Sequence, residues 1–322
     1  MNEKRRIYYY FIFGAGGGAT GWFLAAMLLQ SNKDAGQTVG QQALYGALLG
    51  ALVGVAIAAY EGLTSRSLIR FVKFGGIGLA LGTVAGVLAL PAASWLYGAM
   101  LGPTRAAAQA AGAQAQAPAA WQAVLIGTLC WLLFGGLIGF GESLSKGTQS
   151  FKGLLGGMLG GLIGGGVYEI ARASGVTQTA SFEQQRVLAV ALAVLGGAIG
   201  SSIAFVTTAL KSAWFEVVDG KFAGKIYDVT KYVDRKLGSH KAGIIGSDEW
   251  SANVYLPPDR EVLPRHAQIG YANGSPTLTF FPETEGLQSS LINGRKASIW
   301  PLKDGDRLQI GSTTLIYRHK RR

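Results

Sequence analysis

The chain has 322 residues, of which 48 are glycine and 49% are hydrophobic, whereas only 15% carry a charge. An ordinary soluble domain carries about 25% charged residues, so this composition is typical of a membrane protein. The net charge of +11 lies largely at the ends of apolar segments, which favours a role in membrane orientation over nucleic-acid binding. The single cysteine, Cys130, lies in an apolar run and excludes an intramolecular disulfide.

Six apolar runs are long enough to cross a bilayer, which requires about 20 residues. They cover residues 7–30, 40–60, 71–98, 121–140, 153–171 and 187–210. The first run is longer than the apolar region of a signal peptide, so we expect it to be a membrane anchor. The Ala- and Gln-rich segment from Gly102 to Ala120 is expected to be a flexible connector or an interfacial helix.

Basic residues predict how these spans are oriented. One side carries Lys4, Arg5, Arg6, Arg66, Arg70, Lys73, Lys146, Lys152 and Lys211. The opposite side carries only Lys33, Arg105, Arg172 and Arg186. Because basic loops favour the cytoplasm, the sequence predicts an integral membrane protein whose two termini are both cytoplasmic.

Glycines at helical spacing predict that one helical hairpin is repeated three times in the same orientation. The turns Glu61-Gly-Leu-Thr and Glu142-Ser-Leu-Ser resemble each other, which supports the repeat. Glycines four residues apart let helices approach closely in lipid. The glycines expected to pack in this way are Gly46, Gly50, Gly54, Gly78, Gly82, Gly86, Gly153, Gly157, Gly161 and Gly165.

The fifth span has a second small face, at Gly156, Gly160 and Gly164, which predicts a central position for this helix. We expect the glycine faces to pack within one chain. Assembly into a homo-oligomer or a pore is the alternative.

Chemical signatures are few in this chain. The carboxylates Glu61, Glu142 and Glu169 fall at span ends, where a headgroup-zone position is favoured over an ion path. The sequence has neither a phosphate-binding loop nor a nucleophile elbow, and its three histidines have no metal-ligand spacing. It therefore predicts a protein that is not an enzyme, with no catalytic residue, cofactor or metal.

From Trp214 onward, short alternating runs separated by turn residues predict a β-sandwich. The expected strands are Trp214–Val218, Lys225–Val229, Ala242–Ile245, Asn253–Leu256, Ala267–Tyr271, Thr277–Phe281, Ser298–Pro301, Arg307–Ile310 and Thr313–Arg318. Hairpin turns are expected at Asn273-Gly274 and Asp304-Gly305. The segment from Asp228 to Lys241 is either an insertion loop or a helix. The predicted domains are therefore a transmembrane domain over 1–210 and a β domain over 211–322.

Several motifs of this β domain occur in a characteristic order. They are Gly246, Val262-Leu-Pro-Arg-His266-Ala267, Asn293-Gly294, Leu302-Lys-Asp304-Gly305-Asp306 and Ile310-Gly311. In this order and spacing, the region 214–319 resembles the forkhead-associated (FHA) domain. The resemblance implies an eleven-stranded sandwich whose loops at one end bind phosphothreonine.

The motif positions also show where this chain departs from the family pattern. Ser247 stands where the family has its phosphate-binding arginine, and Leu263 stands where it has a phosphate-binding serine. The first asparagine of the family's NGTxxNG stretch falls on Gln288, whereas Asn293-Gly294 matches the second pair. The resemblance implies that Gly246, His266 and Gly294 shape the loops. The residues expected to bind a partner or phosphopeptide are Ser247, Arg265, Gln288, Asn293 and Arg295.

Together these features predict a membrane-anchored adaptor or scaffold with a degenerate FHA-like domain. Its partner would be a cytosolic or membrane protein, containing phosphothreonine where the family's activity is retained. The alternative is a channel or transporter that uses the sandwich as a cytosolic regulatory module. A third possibility is that the sandwich drives self-assembly.

Overall fold

The computed structural model describes residues 3–29, 38–110, 120–146, 150–173, 182–233 and 242–320. Six long helices precede a two-sheet β-sandwich, which confirms the predicted fold class. The helices are α1 (Glu3–Leu29), α2 (Val39–Thr64), α3 (Leu68–Ala110), α4 (Ala120–Lys146), α5 (Ser150–Ala173) and α6 (Phe182–Ala209).

Each of the six helices is long and apolar enough to cross a membrane. Helix α3 has 43 residues, about 65 Å at 1.5 Å per residue, and its apolar part ends at Leu96. The helix continues through Ala110, so the first part of the Gly102–Ala120 segment is helical. The rest of that segment, residues 111–119, lies outside the described residues.

Glycines bring each even-numbered helix into backbone contact with an odd-numbered neighbour. Facing pairs across α2 and α3 are Gly46–Gly86, Gly50–Gly82 and Gly54–Gly78. Across α4 and α5 they are Trp131–Gly161, Gly135–Gly157 and Gly139–Gly153, and across α6 and α1 they are Leu192–Gly18, Gly196–Gly14 and Gly200–Tyr10. A Cβ atom on any of these glycines would lie closer than 3.0 Å to a carbonyl oxygen of the facing helix. These positions therefore require glycine for the observed helix separation.

The α6–α1 contact closes the six helices into a ring. Among the apolar spans, 50%, 44% and 61% of the residues are buried in α2, α4 and α6, against 28%, 28% and 39% in α1, α3 and α5. The even-numbered helices therefore form the inner layer. The two glycine faces of α5 contact α4 on one side and α6 on the other, as the sequence predicts, although α5 lies in the outer layer.

The threefold repeat remains a prediction. Gly54 faces Gly78, the eleventh residue of α3, and Gly135 faces Gly157, the eighth residue of α5. Glu61 and Glu142 each lie seven residues after Gly54 and Gly135, near the ends of α2 and α4.

The sandwich contains ten strands among the described residues. They are β1 (Ala213–Asp219), β2 (Ile226–Asp228), β3 (Gly243–Gly246), β4 (Val254–Tyr255), β5 (Ala267–Ala272), β6 (Ser275–Phe280), β7 (Leu291–Ile292), β8 (Ile299–Pro301), β9 (Arg307–Ile310) and β10 (Thr313–His319). One sheet has the order β2-β1-β10-β9-β7 and the other the order β4-β3-β5-β6-β8. A short helix, α7 (Thr230–Val233), follows β2, and residues 234–241 lie outside the described residues.

The two predicted turns differ in the structure. Asn273-Gly274 joins β5 and β6 with φ values of 49° and 80°, as a two-residue hairpin turn requires. Asp304-Gly305 instead connects β8 with β9, which belong to different sheets, so it does not form a hairpin. Inward-facing residues of both sheets, among them Phe215, form a sandwich core separate from that of the bundle.

Candidate functional site

Three loops of the sandwich meet at the end where the family resemblance places ligand binding. They are the β3–β4 loop (247–253), the β4–β5 loop (256–266) and the β6–β7 loop (281–290). The first two are joined by backbone hydrogen bonds from Ser247 N–H to Leu263 C=O (3.0 Å) and from Asp248 N–H to Pro264 C=O (3.2 Å). The β9–β10 turn joins the same end, because Gly311 N–H donates to Ser289 Oγ at 2.9 Å.

Gly246 and Ser247 close the gap between the first two loops. A Cβ atom on Gly246 would lie closer than 3.0 Å to the carbonyl oxygen of Pro264, so this close approach requires glycine. The Ser247 hydroxyl donates to the Val262 carbonyl at 3.1 Å. Ser247, which stands at the position of the family's phosphate-binding arginine, therefore uses its hydroxyl to join the two loops.

His266 is fully buried beneath these loops. Its Nδ1 accepts from Leu263 N–H at 3.3 Å, so Nε2 carries the proton and donates to Ser290 Oγ at 2.9 Å. Burial lowers the pKa of His266 to about 4, which keeps the ring neutral at pH 7. The ring thus joins the β4–β5 loop to the β6–β7 loop, as expected for a residue that shapes the site.

Arg265 and Gln288 are exposed on this end of the sandwich. The Arg265 guanidinium lies 5.1 Å from the centre of the Phe281 ring, within the range of a cation–π contact. This stacking holds the cation at the surface between the β4–β5 and β6–β7 loops, where its N–H groups face solvent.

Two carboxylates that the sequence did not single out accept backbone amides at the same end. Glu261 accepts from Ser289 N–H at 3.0 Å, and Asp259 accepts from Ser312 N–H at 3.0 Å. Hydrogen bonds from the hydroxyl and amide of Ser312 hold the pKa of Asp259 below its usual range. These carboxylate oxygens therefore accept hydrogen bonds from two backbone amides that would otherwise be suited to an anionic ligand.

Asn293, Gly294 and Arg295 lie at the other end of the sandwich. Strand β7 runs antiparallel to β9, pairing Ile292 with Leu308. Ser289 contacts Gly311 beyond the end of β9, whereas the Asn293 N–H donates to the Arg307 carbonyl at the start of β9, so Ser289 and Asn293 lie at opposite ends of this strand. The Asn293 amide donates to Asp306 and accepts from Arg307 N–H, both at 2.9 Å, and Asn293 and Gly294 have φ values of 51° and 77°.

The structure therefore divides the expected binding residues into two groups. Ser247, Arg265 and Gln288 lie on loops at one end, whereas Asn293 and Arg295 belong to a turn at the other. The hydrogen bonds of Asn293 give it a turn-forming role.

The edge of the sandwich formed by β2 and β4 docks on the helical bundle. Lys225 Nζ lies 2.9 Å from a carboxylate oxygen of Glu61 in α2. Lys152 of α5 lies 3.2 Å from Asp228 of β2, and the Lys152 side chain is almost fully buried. These pairs join opposite charges across the junction.

The β3–β4 loop is a second part of this junction and contacts the start of α3. The Arg70 guanidinium donates to the Ala252 carbonyl at 3.0 Å, and Lys73 Nζ donates to the Trp250 carbonyl at 2.6 Å. Ser67 donates to the Glu249 carboxylate. The loop that follows Ser247 is thus held by the bundle. This contact was not predicted, because Arg70 and Lys73 at the end of an apolar span are also explained by membrane orientation.

A cavity of about 700 Å³ opens among all six helices at the end of the bundle opposite the sandwich. Its carboxylate, Glu169, is buried and accepts from Trp131 Nε1 at 2.9 Å and from Arg172 at 2.8 Å. Glu142 is also buried, and Tyr10 donates to it at 2.7 Å. Both carboxylates are paired inside the protein, near the ends of α4 and α5.

The described residues contain no cluster of histidine, cysteine and carboxylate side chains that is suited to a metal ion. A second concave site, with a basic lining, lies at the junction of bundle and sandwich.

Comparison with known proteins identifies the sandwich. The family model of the FHA domain matches residues 243–311, which confirms the FHA resemblance. FHA domains are protein-interaction modules rather than enzymes. Among curated proteins, no sequence matches the chain.

Solved structures similar to this chain include further FHA domains. An FHA domain from a study of phosphothreonine-dependent FHA interactions is 23% identical, with a TM-score of 0.27, and the match covers 35% of this chain and 100% of that one. The FhaA FHA domain, solved in complex with the intracellular domain of a second protein, is 24% identical, with a TM-score of 0.26 and coverage of 33% and 100%. EmbR of Mycobacterium tuberculosis, solved with a low-affinity phosphopeptide, is 12% identical, with a TM-score of 0.27 and coverage of 84% and 72%.

Proposed function

We propose that the protein is a non-enzymatic membrane adaptor whose FHA domain binds a protein partner without requiring a phosphate group. Six helices of sufficient length and apolarity anchor it in the bilayer. Glu3 at the start of α1 pairs with Lys211 after α6, which supports a position of both ends on the sandwich side. That side also carries most of the loop lysines and arginines, which favours the cytoplasm.

This proposal depends on one observation: polar groups of the loops at this end of the sandwich already form hydrogen bonds within the protein. The Ser247 hydroxyl bonds to the Val262 carbonyl, and the Ser289 amide bonds to the Glu261 carboxylate. A phosphate group approaching this amide would meet the negative charge of Glu261, and like charges at short range repel. An uncharged peptide segment avoids that repulsion.

The remaining surface of the loop end fits an uncharged polar segment. Arg265 presents guanidinium donors above the Phe281 ring, and Gln288 adds an exposed amide with both donors and acceptors. Stacked arginines beside aromatic rings are frequent anchors of protein interfaces. We therefore assign partner contact to Arg265 and Gln288.

The test compares a degenerate phosphothreonine peptide library with its unphosphorylated twin, using the full-length protein in nanodiscs. We expect equal binding of the two libraries, and a loss of about tenfold or more in affinity when Arg265→Ala removes a charged hydrogen bond. Arg307→Ala is the control because Arg307 is also an exposed arginine but lies near the other end of the sandwich.

Two results would contradict this proposal. Selective phosphopeptide binding that is lost in Arg265→Ala would establish a phosphate reader with altered contacts. An absence of binding to both libraries, together with self-association of the protein, would favour the assembly role instead.

The cavity among the six helices favours a channel or transporter as the second candidate function. A carboxylate within a membrane-spanning bundle is a frequent mark of an ion path, and Glu169 lines this cavity. Cation flux into proteoliposomes that disappears in Glu169→Gln would support this alternative. Retained partner binding without flux would support the adaptor.

A further inference from the structure

The junction between bundle and sandwich encloses a cavity of about 390 Å³ with an excess of positive charge. Six basic side chains and three carboxylates line it. The basic residues are Arg6, Arg66, Arg70, Lys211, Lys221 and Lys225. The volume lies within the range of ligand pockets, which is about 300 to 1,000 Å³.

Lysines already pair with each of the three carboxylates. Glu61 lies 2.9 Å from Lys225, and Glu3 pairs with Lys211. The third, Asp228, lies 3.2 Å from Lys152. The positive excess therefore resides with the arginines and with Lys221.

Arg70 is a buried cation with one unpaired donor. Its side chain is only 4% exposed, and its Nε–H has no hydrogen-bond partner among the described residues. The guanidinium contacts the Ala252 carbonyl and lies about 5 Å from the ring centres of Phe74 and Tyr255. A buried cation with an unpaired donor is destabilising unless an anion compensates it.

Around Arg70, two exposed cations border the same cavity. Arg66 lies in the α2–α3 turn with a φ of 50°, and Lys221 lies in the β1–β2 loop. The three residues come from the bundle and from the sandwich, so an anion bound among them would contact both parts. Phosphate oxygens match this mixture of guanidinium and ammonium donors.

We propose that this junction cavity binds a phosphate group through Arg66, Arg70 and Lys221 and thereby strengthens the docking of the sandwich. The phosphate has two possible sources, a soluble ion or the headgroup of an anionic lipid. The cavity lies beside Glu3, Thr64 and the start of α3, where three apolar helices begin or end. In the membrane-inserted protein this is headgroup level, so a lipid can reach the cavity.

The test measures both sources on the full-length protein. Inorganic phosphate is titrated calorimetrically into nanodiscs that contain phosphatidylcholine alone. In parallel, protein extracted from bilayers that contain phosphatidic acid, whose headgroup is a phosphate monoester, is analysed for retained lipid by native mass spectrometry. Calorimetric binding identifies the soluble source, and retention of phosphatidic acid without calorimetric binding identifies the lipid.

The variants Lys221→Gln and Arg66→Asn remove exposed cations, and asparagine tolerates the positive φ of position 66. We expect each to weaken binding of the effective probe about fivefold. Lys303→Gln is the matched control, since Lys303 is an exposed lysine in the β8–β9 loop. An absence of binding to both probes, or equal losses in Lys303→Gln and Lys221→Gln, would overturn the proposal.

Discussion

Gly246 lies at the end of β3, where its backbone contacts the carbonyl of Pro264. Gly246→Ala forces a methyl group into this contact, and we expect a loss of about 1–3 kcal/mol in the free energy of unfolding of the sandwich. Gly286→Ala is the matched control, because no heavy atom lies within 4 Å of its added Cβ. Chemical unfolding of the two variants measures the difference. Equal free energies of unfolding of the two variants would show that the β4–β5 loop moves to accommodate the methyl group without strain.

His266 gives the sandwich a defined pH dependence. A histidine in an unfolded chain has a pKa near 6.5, whereas burial lowers the pKa of His266 to about 4. Between these values the unfolded chain binds a proton that the folded chain excludes. Stability is therefore complete above pH 6.5 and falls as the pH drops towards 4, by about 3 kcal/mol.

Hydrogen exchange of the β5 amides between pH 7 and pH 4 measures this loss of stability. We expect His266→Gln to remove that part of the pH dependence and His319→Gln, at the half-buried last residue of β10, to retain it. An unchanged pH dependence in His266→Gln would show that another group carries the titration.

The α2–α3 contact tests how far individual glycines determine helix packing. Gly82 faces the backbone of Gly50, whereas Gly76, on the same helix, is exposed with no atom within 4 Å of an added Cβ. We expect Gly82→Ala to destabilise the bundle by about 1–3 kcal/mol. Gly76→Ala should leave stability unchanged or raise it by up to about 1 kcal/mol through helix propensity. Thermal unfolding in detergent distinguishes them, and equal midpoints would contradict a packing role for the glycine ridge.

Hydropathy alone predicted all six helices. A segment that crosses the bilayer needs about 20 mostly apolar residues in a row, and such a run is visible directly in the sequence. The neighbours of each helix were harder to predict. Glycine spacing predicts that a helix has a close-packing face, but it does not show which other helix contacts that face. Strand β7 escaped prediction because its two residues, Leu291 and Ile292, are too few to show alternation.

The binding end was only partly predictable for a similar reason. The motif order placed Gln288 and Asn293 in one stretch, but a strand of extended residues carries the chain from one end of the sandwich to the other. The sequence also separates Arg70 from Ala252 by 182 residues. Their contact depends on how the two parts dock, and local patterns do not report such docking.

In the whole molecule, α3 holds the β3–β4 loop through Arg70, which donates to the carbonyl of Ala252. Arg70→Ala leaves this buried carbonyl without its donor, which destabilises the docked loop by about 1–3 kcal/mol. Hydrogen exchange of residues 247–253 should therefore accelerate, while the β5–β6 hairpin remains protected because its core contacts lie within the sandwich.

Arg307→Ala serves as the control, since it removes an exposed arginine from strand β9 and leaves the junction intact. If the β5–β6 hairpin also lost protection in Arg70→Ala, the sandwich would depend on the bundle for its folding. If neither region changed, the ion pairs of Lys225 and Lys152 would be sufficient to hold the docked state. Faster exchange confined to the loop would show that the bundle controls the conformation of one of the three loops at the proposed partner-binding end.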